Sequence, residues 1–474
     1  MPDSSTSEPE SDFVCGCGDE SMRSACAGEP FYKEHKGKRY CVLHSPGKEK
    51  SADFEKALQR KLEKKDFNFR GVWFPDELKF SRFTFSAPAD FRFATFNADV
   101  DFHSATFRAD SYFSAAAFGA AVSFRAVIFS SAVNFSSALF SADADFNTST
   151  FSADADFTSA TFRAAADFRF ATFSATVDFN AGTFGATANF SSGTFGAAAY
   201  FSAATFGAAA DFSSGTFGAA ADFNSANLSS LADFSYTTFN GKAVFPRSKD
   251  IRASGDQASF DFKFAKIKTP KSFSLPAGML RPHWFINVDL RKFDLANVGW
   301  RSKPSEEIRS LERKKKDLPE DSSPSLLLSA VYRRLALNAE QIHHYPDASL
   351  FRYGSMDAWR PQKWGGLKFW KTDMLHWIYW ATSGYGERVF RAFLWLIGLW
   401  FIFALFYTQI GFAQPEPRLG LSRALTYSAG VMALQKPEPR PATTAAQTVV
   451  LFETILGPVQ AALLALAIRR KFMR

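Results

Sequence analysis

A phenylalanine that recurs at alternating intervals of five and six residues constrains the fold of this chain more than any other feature. The series opens at Phe69, Phe74 and Phe80 and runs to Phe245, with Leu228 as a late substitution. The unit reads A-D-F-x-x-A-T-F-x-x-x, and about 16 copies of these roughly 11 residues fit into the series. The repeat explains why a chain of 474 residues contains 55 Phe.

Neither a helix nor a flat strand accounts for this rhythm. A five-residue step turns a helix by about 500°, which would split the rings into two stripes. The Ser, Thr, Gly and Asp at most other positions are also poor helix formers. In a flat strand the same step would send the next ring to the opposite face, because side chains alternate with period 2. If the chain turns a corner between successive rings, all of them point inward, so the repeat predicts a coiled β-solenoid.

The string A-[DT]-F-x-x resembles the pentapeptide-repeat family, whose pattern is A-[DN]-[LF]-x-x. This resemblance implies an all-β, right-handed, quadrilateral β-helix with four repeat units in each turn. Every second unit has one extra residue, as in Phe151-Ser-Ala-Asp-Ala-Asp-Phe157, which we interpret as a bulge at alternate corners. We expect the β-helix to cover residues 67–300, with an interruption at about 246–259.

Aspartate occupies one outward position of the repeat and predicts carboxylate columns on two opposite faces. Stacked like charges disfavour the fold, so either the Asp oxygens accept backbone N–H bonds at the corners or the columns meet a cationic partner. A repeated ladder offers no cleft with distinct environments, and we therefore expect no enzyme activity. The candidate surface residues are Asp145, Asp156, Asp167, Asp178, Asp211 and Asp222.

Acidic rods in some members of that family mimic DNA. Between Ser81 and Phe245 this chain has 13 Asp and 7 Lys or Arg, a net charge of −6. This is weak mimicry, and no nucleic-acid partner is expected.

Four cysteines and a histidine precede the repeat at Cys15, Cys17, Cys26, Cys41 and His44. The opening MPDSSTSEPESDF is polar and acidic, unlike a secretory signal peptide, so we expect this part in the reducing cytosol, where a metal site is favoured over disulfides. Zinc prefers four such ligands in a closed tetrahedral site that also stabilises a small segment. Cys41 and His44 form one half of the predicted structural zinc site, and Cys26 with either Cys15 or Cys17 forms the other. Unliganded cysteines and redox sensing are the alternatives.

These residues belong to a predicted cap at 13–66 that follows a disordered tail at 1–12. Residues 52–65 have the apolar spacing of a short amphipathic helix, which would cover the first turn of the solenoid.

After the repeat, the chain becomes charged and then apolar. Residues 301–325 are charged and rich in Pro and Ser, and predict a linker. Helical spacing at 326–342 and 347–359 predicts a helical hairpin within a juxtamembrane segment at 326–388. The stretches VYRRLALNAEQ and YGSMDAWR resemble the segment that often follows the repeats in bacterial, membrane-associated members of the family.

Residues 389–474 contain two stretches that are long and apolar enough to cross a bilayer, at about 392–413 and 445–468. Basic residues flank the outer ends of this pair more densely than the loop between the stretches. The positive-inside rule then favours a multi-pass protein of the inner (plasma) membrane with both termini in the cytoplasm.

Glu453 lies inside the second apolar stretch, where a carboxylate is costly unless it faces water or a partner. Glu453, Gly457 and Gln460 share one helical face, and Gly457 and Ala461 begin a stripe of small residues. Packing against another helix, in a homo-oligomer or with a protein partner, is favoured. A polar conduction pathway and a span that ends lower in the bilayer are the alternatives.

Two apolar spans separated by a further apolar piece at 419–434 resemble the two-helix pore module of potassium-channel-like proteins. That resemblance implies a selectivity filter after Leu434, where this chain instead has QKPEPRP; the string Gly384-Tyr385-Gly386 precedes the first span and predicts a turn. Two functions follow. The first is a non-enzymatic scaffold or sensing surface that is anchored in membrane lipid, and the second is an oligomeric ion channel regulated by the β-helix.

Overall fold

A computed structural model gives the fold of the chain. The structure describes residues 13–472 except for 19, 27, 246–258, 275–278, 291–292, 294, 296–297, 302, 314–317, 319–321, 361–373 and 414–417. The chain forms two compact units, Met1–Trp300 and Arg301–Arg474. The predicted disordered tail at 1–12 lies outside the described residues, as does nearly all of the predicted interruption at 246–259.

The repeat folds into a parallel β-solenoid of about eight turns. Its strands form four sheets, and every fourth strand along the chain joins the same sheet. Thr150 pairs with Ile128 on one side and with Thr172 on the other, each one turn away. The predicted all-β coil with four strands in each turn is confirmed.

Two of the sheets are built from strands that mostly read Thr-Phe. The first contains Trp73–Phe74, Thr95–Phe96, Ala117–Phe118, Leu139–Phe140, Thr161–Phe162, Thr183–Phe184, Thr205–Phe206 and Asn227–Leu228. The second contains Thr84–Phe85, Thr106–Phe107, Ile128–Phe129, Thr150–Phe151, Thr172–Phe173, Thr194–Phe195, Thr216–Phe217, Thr238–Phe239 and Lys266–Ile267.

The other two sheets contain the Asp positions and alternate with the Thr-Phe sheets along the chain. One contains Ala89–Asp90, Ser111–Tyr112, Val133–Asn134, Ala155–Asp156, Val177–Asp178, Ala199–Tyr200, Ala221–Asp222, Ala243–Val244 and Phe273–Ser274. The other contains Leu78–Lys79, Val100–Asp101, Val122–Ser123, Ala144–Asp145, Ala166–Asp167, Ala188–Asn189, Ala210–Asp211, Leu231–Asp233 and Ser259–Asp261. The Asp positions therefore lie on two opposite sides of the coil.

Stacked phenylalanine rings fill the axis of the solenoid. Phe157 stacks on Phe179, one turn away, with ring centroids 4.7 Å apart and an angle of 12° between the planes. It also meets Phe168 edge to face at 5.6 Å. All three rings are fully buried. Burial of each such side chain contributes about 1.5–3 kcal/mol, and the paired ring geometry adds to it.

The alternating interval reflects two kinds of corner. In each five-residue interval the second residue after the Phe is left-handed, as at Ser159 and Phe170, whose φ angles are 57° and 56°. The six-residue intervals between Phe74 and Phe245 contain no residue with positive φ. Their extra residue lies in the longer corner, and the strand ladders on either side keep their register.

A small cap precedes the first turn of the solenoid. It contains helix α1 (Glu20–Arg23), a 3-10 turn at Ser24–Cys26, an antiparallel hairpin of Phe31–His35 with Lys38–Cys41, and helix α2 (Ser51–Glu63). Helix α2 begins and ends close to the predicted helix at 52–65. Its Phe54 ring meets the Phe74 ring of the first turn at 5.5 Å, so that the helix covers that end of the aromatic core.

The far end of this unit continues the coil less regularly. Two 3-10 turns, Pro270–Ser272 and Pro282–Phe285, replace regular corners, and the short strands Met279–Leu280 and Gly299–Trp300 pair in parallel. Phe285 stacks on Phe262 at 5.5 Å, and Leu290 and Leu295 are buried.

The second unit is helical. Its helices are α3 (Pro304–Arg313), α4 (Pro324–Gln341), α5 (Tyr345–Trp359), α6 (Met374–Ser383), α7 (Val389–Gln409), α8 (Leu421–Met432) and α9 (Thr444–Phe472). Helices α4 and α5 correspond to the predicted hairpin. Helices α7 and α9 correspond to the predicted spans, and both are long and apolar enough to cross a membrane.

Part of the predicted linker at 301–325 forms helix α3 in the structure. Ile308 and Leu311 lie on one face of α3 and are buried. The Glu307 carboxylate accepts a hydrogen bond from the Tyr332 hydroxyl of α4 at 2.9 Å. The high charge of this segment concealed an amphipathic helix, because only one narrow face is apolar.

Candidate metal centre and buried carboxylates

Four of the five predicted metal ligands converge in the N-terminal cap. Cys15 precedes α1, Cys26 ends the 3-10 turn, Cys41 ends the hairpin and His44 lies in the turn that follows. One donor atom from each lies within 4.8 Å of all the others. The fold therefore brings together residues that are up to 29 positions apart in the sequence.

The spacing of these donor atoms fits a tetrahedral zinc ion. Zinc–sulfur bonds of about 2.3 Å in a tetrahedron place neighbouring sulfurs about 3.8 Å apart. The Sγ atoms of Cys15 and Cys41 are 3.8 Å apart, and His44 Nδ1 lies 3.2 Å from Cys41 Sγ and 3.4 Å from Cys26 Sγ. The Cys15–Cys41 distance is too long for a disulfide, and Cys15, Cys17, Cys26 and Cys41 are all free thiols.

The surroundings of the four residues also suit a metal. His44 Nε2 lies 3.0 Å from the Arg70 carbonyl oxygen, which fixes the tautomer that leaves Nδ1 as the ligand. Hydrogen bonds from the thiols of Cys17, Cys26 and Cys41 lower the pKa of Cys15, so that its thiolate forms readily. Zinc bound here would have four protein ligands and no open position, which is the arrangement of structural sites.

Cys17 is the predicted ligand that the structure does not bring into the set. Its Sγ lies 4.0 Å from the Cys15 carbonyl oxygen. The sequence left open whether Cys15 or Cys17 completes the site, and the geometry selects Cys15.

Lys50 is a buried residue of the cap that sequence reasoning missed. Its ammonium donates to the carbonyl oxygens of Val42 and Leu43 at 2.7 and 2.9 Å, and it lies 4.5 Å from the centre of the Phe54 ring. Burial lowers the pKa of Lys50 to about 7. Lys50 thus ties the turn beside the metal ligands to helix α2, and nothing in the local sequence distinguishes it from the lysines around it.

The repeated Asp residues accept hydrogen bonds from the backbone at the corners. In each case one carboxylate oxygen receives the N–H of the residue two positions later, at 2.8 Å for Asp145, Asp211 and Asp222. The same bond is 2.9 Å at Asp156, 3.0 Å at Asp167 and 2.7 Å at Asp178. Asn134 and Asn189 replace Asp in these columns and accept the same bond. A neutral amide can therefore make the same bond, and the position is a corner brace.

Glu453 is fully buried between α9, α7 and α8. One of its carboxylate oxygens accepts a hydrogen bond from the Tyr407 hydroxyl at 2.5 Å, and the other accepts one from the Ser428 hydroxyl. The ring of Tyr427 packs against Tyr407 with centroids 4.9 Å apart. Both hydroxyl partners come from distant parts of the sequence, so the pattern around Glu453 could not reveal them.

The remaining residues of the Glu453 face differ in their contacts. A Cβ added at Gly457 would lie 2.9 Å from Met432 Cγ, so that glycine permits the close approach of α8 to α9. The Gln460 amide donates to the Ala392 carbonyl oxygen at 2.8 Å and to that of Thr382 at 3.2 Å. Ala461 is exposed beside an apolar cavity of about 360 Å³. The face packs within one chain, onto α6, α7 and α8.

Glu387 forms a second buried carboxylate site that sequence reasoning missed. It lies in the turn after Gly384, Tyr385 and Gly386, three consecutive residues with positive φ. Its oxygens accept hydrogen bonds from Ser349 Oγ and Arg352 Nε at 2.7 and 2.8 Å, and Arg470 Nη1 lies 3.4 Å away. The available signal was a single Glu next to Arg388 and close to Arg391, just before the first apolar stretch. This network joins α5, the turn and the end of α9.

Comparison with protein-family models, with curated proteins and with solved structures finds no match to this chain. Its function is therefore inferred from the geometry of these sites.

Proposed function

We propose that this protein is a non-enzymatic scaffold, anchored in a membrane by α7 and α9, that presents its β-solenoid as an interaction or sensing surface. The observation that carries the anchoring is the large apolar surface of these two helices. Phe390 of α7 is 72% exposed, and Leu451 and Phe452 of α9 are 59% and 57% exposed. Soluble proteins rarely leave such a surface open, and lipid is the simplest cover for two helices of this length.

The charges at the ends of the two helices support one orientation. Arg388 and Arg391 lie at the start of α7, and Arg469, Arg470 and Lys471 lie at the end of α9. Because cytoplasmic loops are enriched in Lys and Arg, this end faces the cytoplasm in our proposal, and both termini lie on that side of the inner membrane.

Three outward aromatic residues support an interaction surface on the solenoid. Phe170 and Tyr236 occupy left-handed positions of one corner and Phe93 that of the opposite corner, where most other turns have Ser, Ala or Thr. Phe170 is 56% exposed, and the other two are also exposed. The fold does not need a ring at this position, and exposed aromatic residues are common energetic centres of protein interfaces. We propose that the partner of this surface is a protein, because the carboxylates of the Asp columns already accept hydrogen bonds from the backbone.

The metal centre is proposed to be structural zinc. Its four ligands close the coordination sphere and hold the cap against the first turn of the solenoid through α2 and the turn at Val42 and Leu43.

One observation favours the second candidate, an oligomeric ion channel. Helix α8 is too short to span a bilayer, yet its Ser428 Oγ lies 3.1 Å from the Trp400 carbonyl oxygen of α7 and its Met432 packs on Gly457 of α9. Both contacts lie well inside the long helices, so α8 enters the region between them. Polypeptide that turns within a membrane is tolerated where it is buried or lines a water-filled cavity. A pore between copies of this chain would meet that condition.

Reconstitution of the purified full-length chain tests both candidates. Anchoring predicts that the protein resists extraction with alkaline carbonate and that removal of residues 389–474 releases it. If the protein is a scaffold, it should pass no ion current across planar bilayers. If it is a channel, it should form symmetric oligomers whose conductance changes in the Glu453→Gln variant. Release of the intact chain by carbonate would contradict the anchoring itself.

A further inference from the structure

We propose that a cavity at the basic ends of α7 and α9 binds the phosphate headgroup of an anionic phospholipid. The cavity has a volume of about 600 Å³. Its walls come from the start of α5, the turn at Glu387, the start of α7 and the end of α9. The proposal rests on the membrane anchoring proposed above and assigns a lipid class and a place on the chain.

The charge of the cavity is strongly positive. Arg388, Arg391, Arg470 and Lys471 line it, together with one carboxylate, Glu387. That carboxylate is already bound by Arg352, which lies outside the cavity wall, and by Ser349. Arg352 also pairs with Glu340, and Arg470 lies 3.4 Å from Glu387. The four cationic side chains of the wall still outnumber its one carboxylate, so the cavity carries a net positive charge that attracts an anion.

Neither Arg388 nor Arg391 forms an ion pair within 4 Å of a carboxylate among the described residues, although Asp357 interacts with Arg391 at longer range. Arg388 lies over the Tyr353 ring at 4.9 Å, and Arg391 lies over the Trp380 ring at 5.2 Å while it donates to the Trp380 carbonyl oxygen at 3.0 Å. Aromatic contacts hold both guanidinium groups in place without cancelling their charge. Two positioned guanidinium groups suit the oxygens of a phosphate ester.

The backbone adds a second, independent attraction. Arg388 precedes the first turn of α7, and no side chain caps that turn. The N–H groups at the start of a helix lack intrahelical acceptors, and together with the helix dipole they favour an anion. Val389, Phe390 and Arg391 of this first turn line the cavity.

The apolar surface beside the cavity favours a lipid over a free phosphate ion. Phe390 lines the cavity and is also one of the most exposed side chains of α7, and Phe393 and Leu394 continue the exposed surface along the helix. A headgroup in the cavity would place its acyl chains along these residues. Basic pockets between membrane helices on the cytoplasmic side are suited to such headgroups.

The test compares lipid preference in the full-length protein and its variants, reconstituted in nanodiscs of phosphatidylglycerol mixed with phosphatidylcholine. Native mass spectrometry would measure which lipid stays bound. Each guanidinium group that contacts the bound phosphate should increase affinity about fivefold, so Arg388→Gln with Arg391→Gln should reduce the preference for phosphatidylglycerol about 25-fold. Arg469→Gln removes a cation from the same helix end outside the cavity wall and should change it less than about twofold.

Three further arms make the outcomes distinct. Replacement of both arginines by lysine keeps the charge but removes the stacked, planar guanidinium groups, so it should reduce the preference less than the glutamine double variant does; an unchanged preference in both double variants would overturn the site. Inorganic phosphate that displaces the lipid at millimolar concentration would overturn the lipid as the ligand. If the protein inserts into bilayers but shows no preference for phosphatidylglycerol in the mixed nanodiscs, the proposed site is overturned and the anchoring stands. If the protein does not insert, both proposals are overturned.

Discussion

The solenoid and the C-terminal helices hold their carboxylates in opposite ways. In the solenoid each Asp receives a backbone N–H from its own corner, two residues later, and the same bond recurs turn after turn. In the helical unit Glu453 and Glu387 occur once each and depend on hydroxyl or guanidinium groups from distant helices. A repeated local bond supports the fold at every turn, whereas a unique long-range bond fixes how particular helices meet.

The N-terminal cap also depends on residues that each occur once, and its disruption should reduce the stability of the protein more than any other change described below. Cys41→Ser removes one of four zinc ligands, and structural zinc sites contribute about 10–16 kcal/mol of apparent binding free energy in small peptides. We expect stoichiometric zinc in the full-length protein and its loss in this variant, measured by elemental analysis. Cys17→Ser is the matched control and should retain the metal. Equal zinc content in both variants would contradict the assigned ligand set.

Truncation of a core ring should have the next largest effect. Phe157→Ala leaves a cavity within the stack of Phe135, Phe157 and Phe179 and should reduce the free energy of unfolding by about 3–5 kcal/mol. Phe170→Ala removes an exposed ring from a corner where Ala115 and Ala126 adopt the same conformation, so its cost should be small. Chemical denaturation would compare the two. Similar losses would show that the outward rings also support the fold.

The Glu453 contacts can be broken one at a time. Tyr407→Phe removes one of the two hydroxyl donors and should cost about 1–2 kcal/mol, and its coupling to Glu453→Gln should exceed about 0.5 kcal/mol. Unfolding in mixed detergent micelles would give the double-mutant cycle. The Tyr427 hydroxyl makes no hydrogen bond among the described residues, so Tyr427→Phe is the control. Additive effects of Tyr407 and Glu453 would show that the bond does not hold α7 to α9.

A single corner brace of the solenoid should matter less. Asp222→Ala removes the acceptor of the Asn224 N–H and should cost about 0.5–1.5 kcal/mol. Asp222→Asn keeps an acceptor, as Asn134 and Asn189 do at equivalent positions, and should be nearly neutral. If the Asn variant lost as much stability as the Ala variant, the negative charge itself would be required.

The smallest expected effect is a pH dependence at the end of one Asp column. Burial raises the pKa of Asp233, and the charges of Asp261 and Asp211 raise it further. The folded state therefore binds the proton of the Asp233 carboxyl more tightly than the unfolded state does. Stability is lost as the pH rises from the pKa of the unfolded state through the higher pKa of the folded state. Asp233→Asn should make the protein more stable than the parent at pH 7, and the advantage should vanish below the unfolded pKa. Thermal unfolding at both pH values measures it.

The solenoid was predictable because its signal is local and repeated. The repeat unit recurs about sixteen times, so a substitution at a single position, such as Leu228 for Phe, does not obscure the period. The two apolar helices were predictable for a similar reason, since length and hydropathy are properties of a continuous stretch. Helix α3 was missed because two buried residues among many charges are a weak signal.

The sequence by itself determined the coil, its aromatic axis, the two long apolar helices and the residue types of the metal centre. Only the tertiary structure selected Cys15 over Cys17, gave Glu453 its Tyr407 and Ser428 partners, and joined Glu387 to Arg352 and Arg470. The physical reason is distance along the chain. Periodic burial is encoded within a few residues, whereas the partners of a unique polar group lie on other elements and become neighbours only when those elements pack.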